Sequence, residues 1–128
     1  MIKRIGVLTT GGDSPGTNAV IRAIGKSSQS QGIQLIGFQD GFSGMADDHF
    51  LELESSYFSG IITKGGTLLG TNRDLPNKVL VDGNCVDLTA EIVNIYNKHE
   101  LNCLICLGGG GAQESARILM EAGLNMIT

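Results

Sequence analysis

Short apolar runs alternate along the chain with segments in which apolar residues recur at helical spacing. The apolar runs, each of which predicts a β-strand, cover residues 5–8, 33–38, 51–53, 103–107 and 124–128. Helical spacing covers the segment before Gly32, residues 87–98 and residues 112–122. Because strands that alternate with helices form parallel sheets, this order predicts an α/β fold: a doubly wound, mostly parallel sheet with helices on both faces, Rossmann-like and three-layered.

The connections are predicted from glycines and from polar residues that favour helix ends. The predicted helix caps and stops are Thr17 or Asn18 at the start of the first helix, Gly32 after it, Asp87 at the start of the second helix and Gly123 after the third. Residues 41–44 are predicted to be a turn, and residues 74–86 are predicted to be a loop.

The composition indicates one small, folded, acidic domain. The 128 residues are 41% hydrophobic and 17% charged, with a net charge of −4. No run of lysine or arginine forms a basic surface, so nucleic-acid binding is not expected. No apolar stretch reaches the roughly 20 residues of a membrane span, and residues 1–5 lack the apolar segment of a signal peptide. We therefore expect a cytoplasmic protein.

The three cysteines are predicted to be free thiols, because an odd number in so short a chain argues against a disulfide scaffold. Cys103 and Cys106 have the spacing of redox and metal-binding pairs. They lie on a predicted strand, however, where residues three apart face opposite sides. We therefore expect both to pack in the core. Isolated titratable residues are assigned to the surface (His49 and His99) or to turns (Asp40, Asp74 and Asp82).

Glycine-rich turns are the strongest candidates for chemistry in a chain with 19 glycines. Residues 11–16 join the first strand to the first helix, where bare N–H groups and the positive helix end favour phosphate. A simple tight connection remains the alternative. The segment is not a dinucleotide fingerprint, since Asp13 replaces its second glycine. Residues 20–27 are not a P-loop, since Val20 replaces its first glycine and the segment lies within a helix.

Two further glycine turns favour the same interpretation. Residues 65–73 end at Arg73, whose guanidinium can pair two oxygens of a polyphosphate, although a solvated surface arginine is the alternative. Residues 108–111 are four consecutive glycines. Packing is not expected to require them, because each glycine raises the entropic cost of folding. Their predicted role is to let the backbone approach a bulky ligand closely.

Taken in order, the three turns resemble those of the 6-phosphofructokinases of the phosphofructokinase A family. Residues 3–22, KRIGVLTTGGDSPGTNAVIR, resemble the opening of that family, and residues 65–73, GGTLLGTNR, resemble its second nucleotide segment. Residues 107–112, LGGGGA, align with its third segment, usually written G-G-D-G-[ST]. The resemblance covers the whole chain, residues 1–128, as the N-terminal ATP-binding part of such an enzyme.

The resemblance implies a role for each matching residue. The implied nucleotide contacts are Gly11, Gly12, Arg73, Asp74, Gly109, Gly110, Gly111 and Ala112. The first two would line the phosphates of ATP, and the last four would hold the nucleotide through their backbone. Arg73 would contact the transferring phosphate and stabilise charge in the transition state. Arg22 and Lys26 match cationic positions of an allosteric effector site.

The chain departs from the family pattern at two points that bear on metal binding and catalysis. Gly110 stands where the family has a Mg²⁺-associated aspartate, so no metal ligand is expected in the chain. The family's T-I-D-N-D segment, whose first aspartate is the proposed base for the sugar hydroxyl, would begin just past Thr128. No catalytic base is therefore expected within these residues.

The implied activity is phosphoryl transfer from ATP to fructose 6-phosphate, with Mg²⁺ as cofactor, in a homo-oligomer that is commonly a tetramer. Gly111 favours ATP over pyrophosphate, because pyrophosphate users in the family typically carry aspartate there. A pyrophosphate-dependent phosphofructokinase and a non-catalytic nucleotide-binding module remain the alternatives. An NAD kinase is disfavoured by residues 11–18.

Overall fold

The central sheet has five strands in the computed structural model, which describes residues 3–10, 15–53, 75–108 and 110–128. In chain order the elements within those residues are β1 (Arg4–Thr9), α1 (Pro15–Ser30), β2 (Gln34–Phe38), α2 (Gly41–Ala46), β3 (Phe50–Glu52), β4 (Val79–Val81), β5 (Asn84–Val86), α3 (Thr89–Lys98), β6 (Cys103–Leu107), α4 (Gly110–Glu121) and β7 (Met126–Ile127). The sheet order is β3-β2-β1-β6-β7, and β4 and β5 form a separate hairpin. β1 pairs in parallel with β2 and β6, β6 pairs in parallel with β7, and β3 is antiparallel to β2. The predicted mostly parallel, doubly wound sheet is confirmed.

Two hydrophobic clusters cover the two faces of the sheet. Val7 and Leu8 are neighbours on β1 and face opposite sides, because side chains alternate along a strand. Leu8 packs in one cluster with Ile92 of α3 and Leu119 of α4, whereas Val7 packs in the other with Ile21 of α1. These five side chains are fully buried, and burying each stabilises the fold by about 1.5–3 kcal/mol. The three-layer arrangement is therefore confirmed.

The segment at residues 41–44, predicted to be a turn, is instead the start of helix α2. Phe42 and Met45 lie three residues apart, which places both on the buried side of this short helix. Gly44 lets the helix pack closely, because a Cβ there would lie 1.7 Å from the backbone oxygen of Gln39. The turn prediction is wrong because two glycines in four residues masked the helical spacing of the apolar pair.

The described part of residues 74–86, predicted to be a loop, contains the β4–β5 hairpin. Asp82 and Gly83 form its turn with φ values of 50° and 81°. Two-residue hairpin turns require such left-handed residues, and an Asp-Gly pair adopts them readily. The loop prediction is wrong here, and the Asp-Gly pair between Val81 and Asn84 was the signal that could have corrected it.

The helix ends agree with the predicted glycine stops, whereas the predicted starts are shifted by one to three residues. Gly32 and Gly123 follow α1 and α4 with φ values of 71° and 101°, in the left-handed region that favours glycine. The N-cap of α3 is Leu88, one residue after the predicted Asp87. Oδ1 of Asp87 nevertheless accepts the backbone N–H of Thr89, the first residue of α3, at 2.9 Å, and hydrogen bonds from Thr89 lower the pKa of Asp87. α1 begins at Pro15, two residues earlier than predicted, at a position that proline favours. Among the described helices, none has the length and apolar character that a membrane crossing needs.

All three cysteines are free thiols, as predicted. Cys103 and Cys106 are buried on β6, and Cys85 is exposed. Burial raises the pKa of the Cys103 thiol and raises that of Cys106 to about 11. Both therefore stay protonated at neutral pH, which suits core packing and opposes redox or metal chemistry.

Candidate phosphate-binding site at the carboxyl edge of the sheet

The carboxyl ends of β1 and β6 lie side by side at the centre of the sheet. Thr9 pairs with Leu107 in the parallel register, and the next residue, Thr10, donates its backbone N–H to the carbonyl oxygen of Leu107 at 2.8 Å. From here α1 leads to β2 on one side, and α4 leads to β7 on the other, so the direction of winding reverses. Ligands of open α/β sheets bind at such a reversal.

Helix α4 begins at this edge, two residues earlier than predicted. It runs from Gly110 to Glu121 and has no acidic residue in its first turn. The unpaired N–H groups and the positive end of the helix dipole therefore favour an anion here. The turn is anchored by the buried side chain of Ala112 and by Ser115, whose Oγ donates to the carbonyl oxygen of Gly111 at 2.8 Å.

Gly108 and Gly111 are glycines for different reasons. Gly108 has a φ of 156°, and a Cβ there would lie 2.4 Å from the carbonyl oxygen of Thr10 and 2.6 Å from its Oγ1. Gly111 is exposed, and a Cβ there would have no atom within 4 Å. The expectation that packing requires none of the four glycines is therefore wrong for Gly108, whereas Gly111 has no packing requirement for glycine.

Thr10 belongs to this site although the sequence pattern did not single it out. The residue is 6% exposed, and its Oγ1 makes no well-formed hydrogen bond to any described residue. It does interact with the Cys106 thiol, where it partly offsets the effect of burial on the pKa of Cys106, but a thiol is a weak hydrogen-bonding group. A buried polar atom without a full partner costs about 1–3 kcal/mol. The available signal in the sequence was a polar residue at the very end of an apolar strand.

The predicted nucleotide contacts divide into two groups. Those that lie outside the described residues are Gly11, Gly12, Arg73, Asp74 and Gly109. Those that the structure places together, in the first turn of α4, are Gly110, Gly111 and Ala112. The first turn of α4 is thus the described part of the predicted nucleotide site.

This turn does not fit Mg²⁺ as a ligand set. Gly110 has no side chain, and the first turn of α4 has no carboxylate, which is the protein ligand that Mg²⁺ prefers. Across residues 3–10, 15–53, 75–108 and 110–128, no group of three or more His, Cys, Asp or Glu residues could hold a metal ion. What the turn offers is N–H groups, which bind anions.

The predicted effector residues lie on α1. Arg22 is half-buried and Lys26 is exposed. Because they are four residues apart on a helix, they share one face. Their role in an effector site stays a prediction.

His99 is buried, so its assignment to the surface is wrong. Its Nε2 lies 2.6 Å from Oδ1 of Asp48, and its ring packs edge-on against Phe50 and Phe38 at centroid distances of 4.5 and 5.9 Å. Lys98 also pairs with Asp48. Burial opposes ionisation of Asp48, but the hydrogen bonds from Lys98 and His99 outweigh it and lower the pKa of this carboxyl. The cluster ties the α2–β3 connection to the end of α3.

Comparison with known proteins identifies close sequence relatives. Residues 4–128 match the family model described as phosphofructokinase. The chain is 50% identical to the ATP-dependent 6-phosphofructokinase of Propionibacterium freudenreichii subsp. shermanii, over 100% of the chain and 35% of that protein. It is 39% identical to the ATP-dependent 6-phosphofructokinase of Spirochaeta thermophila, over 98% of the chain and 36% of that protein. The chain thus spans about a third of the length of these curated relatives.

Solved structures agree on the fold. The Pichia pastoris phosphofructokinase in the T-state superposes with a TM-score of 0.81 at 24% identity, covering 100% of this chain and 13% of that one. The pyrophosphate-dependent phosphofructokinase of Marinobacter aquaeolei superposes with a TM-score of 0.77 at 15% identity, covering 98% of this chain and 32% of that one. Because the phosphofructokinase family model matches residues 4–128, nearly the whole chain, the chain belongs to the phosphofructokinase family.

Proposed function

We propose that residues 1–128 are the N-terminal ATP-binding part of an enzyme that converts ATP and fructose 6-phosphate to ADP and fructose 1,6-bisphosphate. The observation that carries this proposal is the N-terminus of α4, which begins at the reversal of strand order with Gly111 open beside it. That arrangement suits a polyphosphate. The name ATP-dependent 6-phosphofructokinase, borne by relatives that match the whole chain or nearly all of it, supports the reaction.

The chain contributes position and charge to this reaction. The N–H groups at the start of α4 are proposed to hold phosphate oxygens, and Gly11 and Gly12 are proposed to line the phosphates as well. Arg73 stabilises the charge that develops on the transferring phosphoryl group. The base that accepts the proton of the sugar hydroxyl is proposed to come from outside these 128 residues. Mg²⁺ is proposed as a cofactor that accompanies ATP, since the α4 turn supplies no carboxylate for it.

ATP is the proposed donor because of the open volume at Gly111. A nucleotide has to lay its α-phosphate and adenosine along the turn, and a Cβ at Gly111 would meet no protein atom there. An aspartate at this position would fill that volume and would repel the α-phosphate in a partly desolvated site. Pyrophosphate is shorter and would tolerate such a side chain.

The remaining parts of the proposal concern partners and regulation. The intact enzyme is proposed to be a cytoplasmic homo-oligomer, commonly a tetramer in this family. Arg22 and Lys26 are proposed to contribute to an effector site. Neither nucleic acid nor membrane is a proposed partner.

The decisive experiment compares phosphoryl donors in the full-length protein. Formation of fructose 1,6-bisphosphate should give a higher kcat/KM with ATP than with pyrophosphate, and Gly111→Asp should reduce ATP use selectively. A wild-type preference for pyrophosphate would overturn the choice of donor. ATP binding without any turnover would favour the second candidate, a non-catalytic nucleotide-binding module, which the absence of a carboxylate at Gly110 supports.

A further inference from the structure

We propose that the hydroxyl of Thr10 is a direct contact for a phosphate oxygen of the nucleotide, which is a stronger partner than the Cys106 thiol that it meets among the described residues. The inference rests on the proposed function, because it requires a polyphosphate at the carboxyl edge of the sheet. It adds a residue that neither the glycine pattern nor the family resemblance assigns.

Thr10 immediately precedes the first glycine turn in the sequence, and its side chain lies against Gly108 at the start of the other. Its backbone is fixed at the end of β1 by the hydrogen bond to Leu107. Its Oγ1 lies 2.6 Å from the point that a Cβ on Gly108 would occupy, so the hydroxyl faces the residue that opens the turn before α4. Because Gly108 has no side chain, no side-chain atom of that residue covers the hydroxyl.

The hydroxyl of Thr10 is not expected to stabilise the unliganded protein. Oγ1 is buried without a well-formed hydrogen bond to any described residue, and the Cys106 thiol that it meets is a weak hydrogen-bonding group. Valine would fill the same volume without leaving a hydrogen-bonding group poorly paired. The hydroxyl is a donor beside a helix N-terminus that favours anions. A hydrogen bond from a hydroxyl to a charged phosphate oxygen is stronger than one to a neutral acceptor. Bound phosphate therefore supplies a stronger partner than any that the described residues provide.

The test measures ATP affinity and unliganded stability in the full-length protein and in Thr10→Val, with Thr10→Ser as the matched variant that keeps the hydroxyl. Thr10→Val should match or exceed the wild-type thermal stability without ligand and should lose about 10- to 100-fold in ATP affinity by calorimetry. Thr10→Ser should bind ATP with nearly the wild-type affinity. Thr10→Ala provides a second hydroxyl-free variant that cannot overpack the site.

Each other outcome decides against the inference. Wild-type affinity in a folded Thr10→Val protein would show that the hydroxyl does not touch the ligand. Failure of both hydroxyl-free variants to fold would show that the hydroxyl serves the fold. An absence of ATP binding by the wild-type protein would overturn the proposed function and the inference with it. The wild-type measurement therefore tests the proposed function, and the comparison with the variants tests the role of Thr10.

Discussion

Replacing Gly108 or Gly111 by alanine adds the same methyl group at two positions of one turn, and the structure predicts opposite effects on stability. At Gly108 the methyl would lie 2.4 Å from the carbonyl oxygen and 3.1 Å from the carbonyl carbon of Thr10. Those are backbone atoms, so no side-chain rotation relieves the clash. At Gly111 the methyl would meet no atom within 4 Å. The first substitution should destabilise the fold and the second should not.

The magnitudes follow from the two environments. Overpacking costs about 1–3 kcal/mol, and a non-glycine residue in an unfavourable positive-φ conformation costs a further 1–3 kcal/mol or so. The two costs together come to about 2–6 kcal/mol, so we expect Gly108→Ala to lower the free energy of unfolding by about 4 kcal/mol, the middle of that range. Gly111 lies in a helix, where alanine is favoured over glycine by about 0.5–1 kcal/mol. Gly111→Ala should therefore raise the free energy of unfolding by a similar amount.

Urea unfolding of the 128-residue chain, followed by circular dichroism, measures both changes against the wild type. ATP titration of the full-length variants adds a second readout. Gly111→Ala should weaken ATP binding even though it stabilises the fold, because its methyl occupies the proposed ligand volume. If Gly108→Ala is as stable as the wild type, the close approach of Thr10 to Gly108 is refuted. If Gly111→Ala keeps full ATP affinity, the proposed ligand volume is refuted.

Further predictions concern charge. In the full-length enzyme Arg73→Ala should lower kcat on the order of 10²-fold with a smaller effect on ATP binding, and unchanged steady-state kcat would reduce Arg73 to a surface residue. Gly110→Asp should lower the Mg²⁺ concentration for half-maximal activity, because it adds an oxygen ligand to the turn; an unchanged titration would place the metal elsewhere. The pKa of Asp48 is lowered in the folded state from its ordinary 3.8, so its stabilisation is present above that pH and is lost as pH falls through the folded value. Acid unfolding of Asp48→Asn should therefore depend less on pH below 3.8 than that of the wild type, and equal dependence would contradict the lowered pKa.

The main elements were predictable because each has a local signal. Apolar runs of strand length, helical spacing and the stop glycines Gly32 and Gly123 fixed the order of strands and helices, and that order determined the parallel sheet. Helix α2 was not predicted, because it begins after a left-handed Asp40 and contains glycines, and these features are typical of a turn. The burial of His99 was not predicted for another reason. Its partner Asp48 is 51 residues away, and no local pattern reports such a contact.

The candidate site was only partly predictable, because the sequence locates a glycine without saying why it is there. Gly108 and Gly111 belong to the same run of four glycines, and the sequence does not distinguish them. The register that pairs Thr9 with Leu107 places Thr10 against Gly108, whereas a Cβ on Gly111 would have no atom within 4 Å. The same register buries the hydroxyl of Thr10 beside the turn. A residue far away in the sequence therefore decides which glycine serves packing and which is free for a ligand. It follows that the contribution of this edge to phosphate binding depends on the pairing of β1 with β6, and substitutions that loosen that pairing should weaken ATP binding without touching either glycine turn.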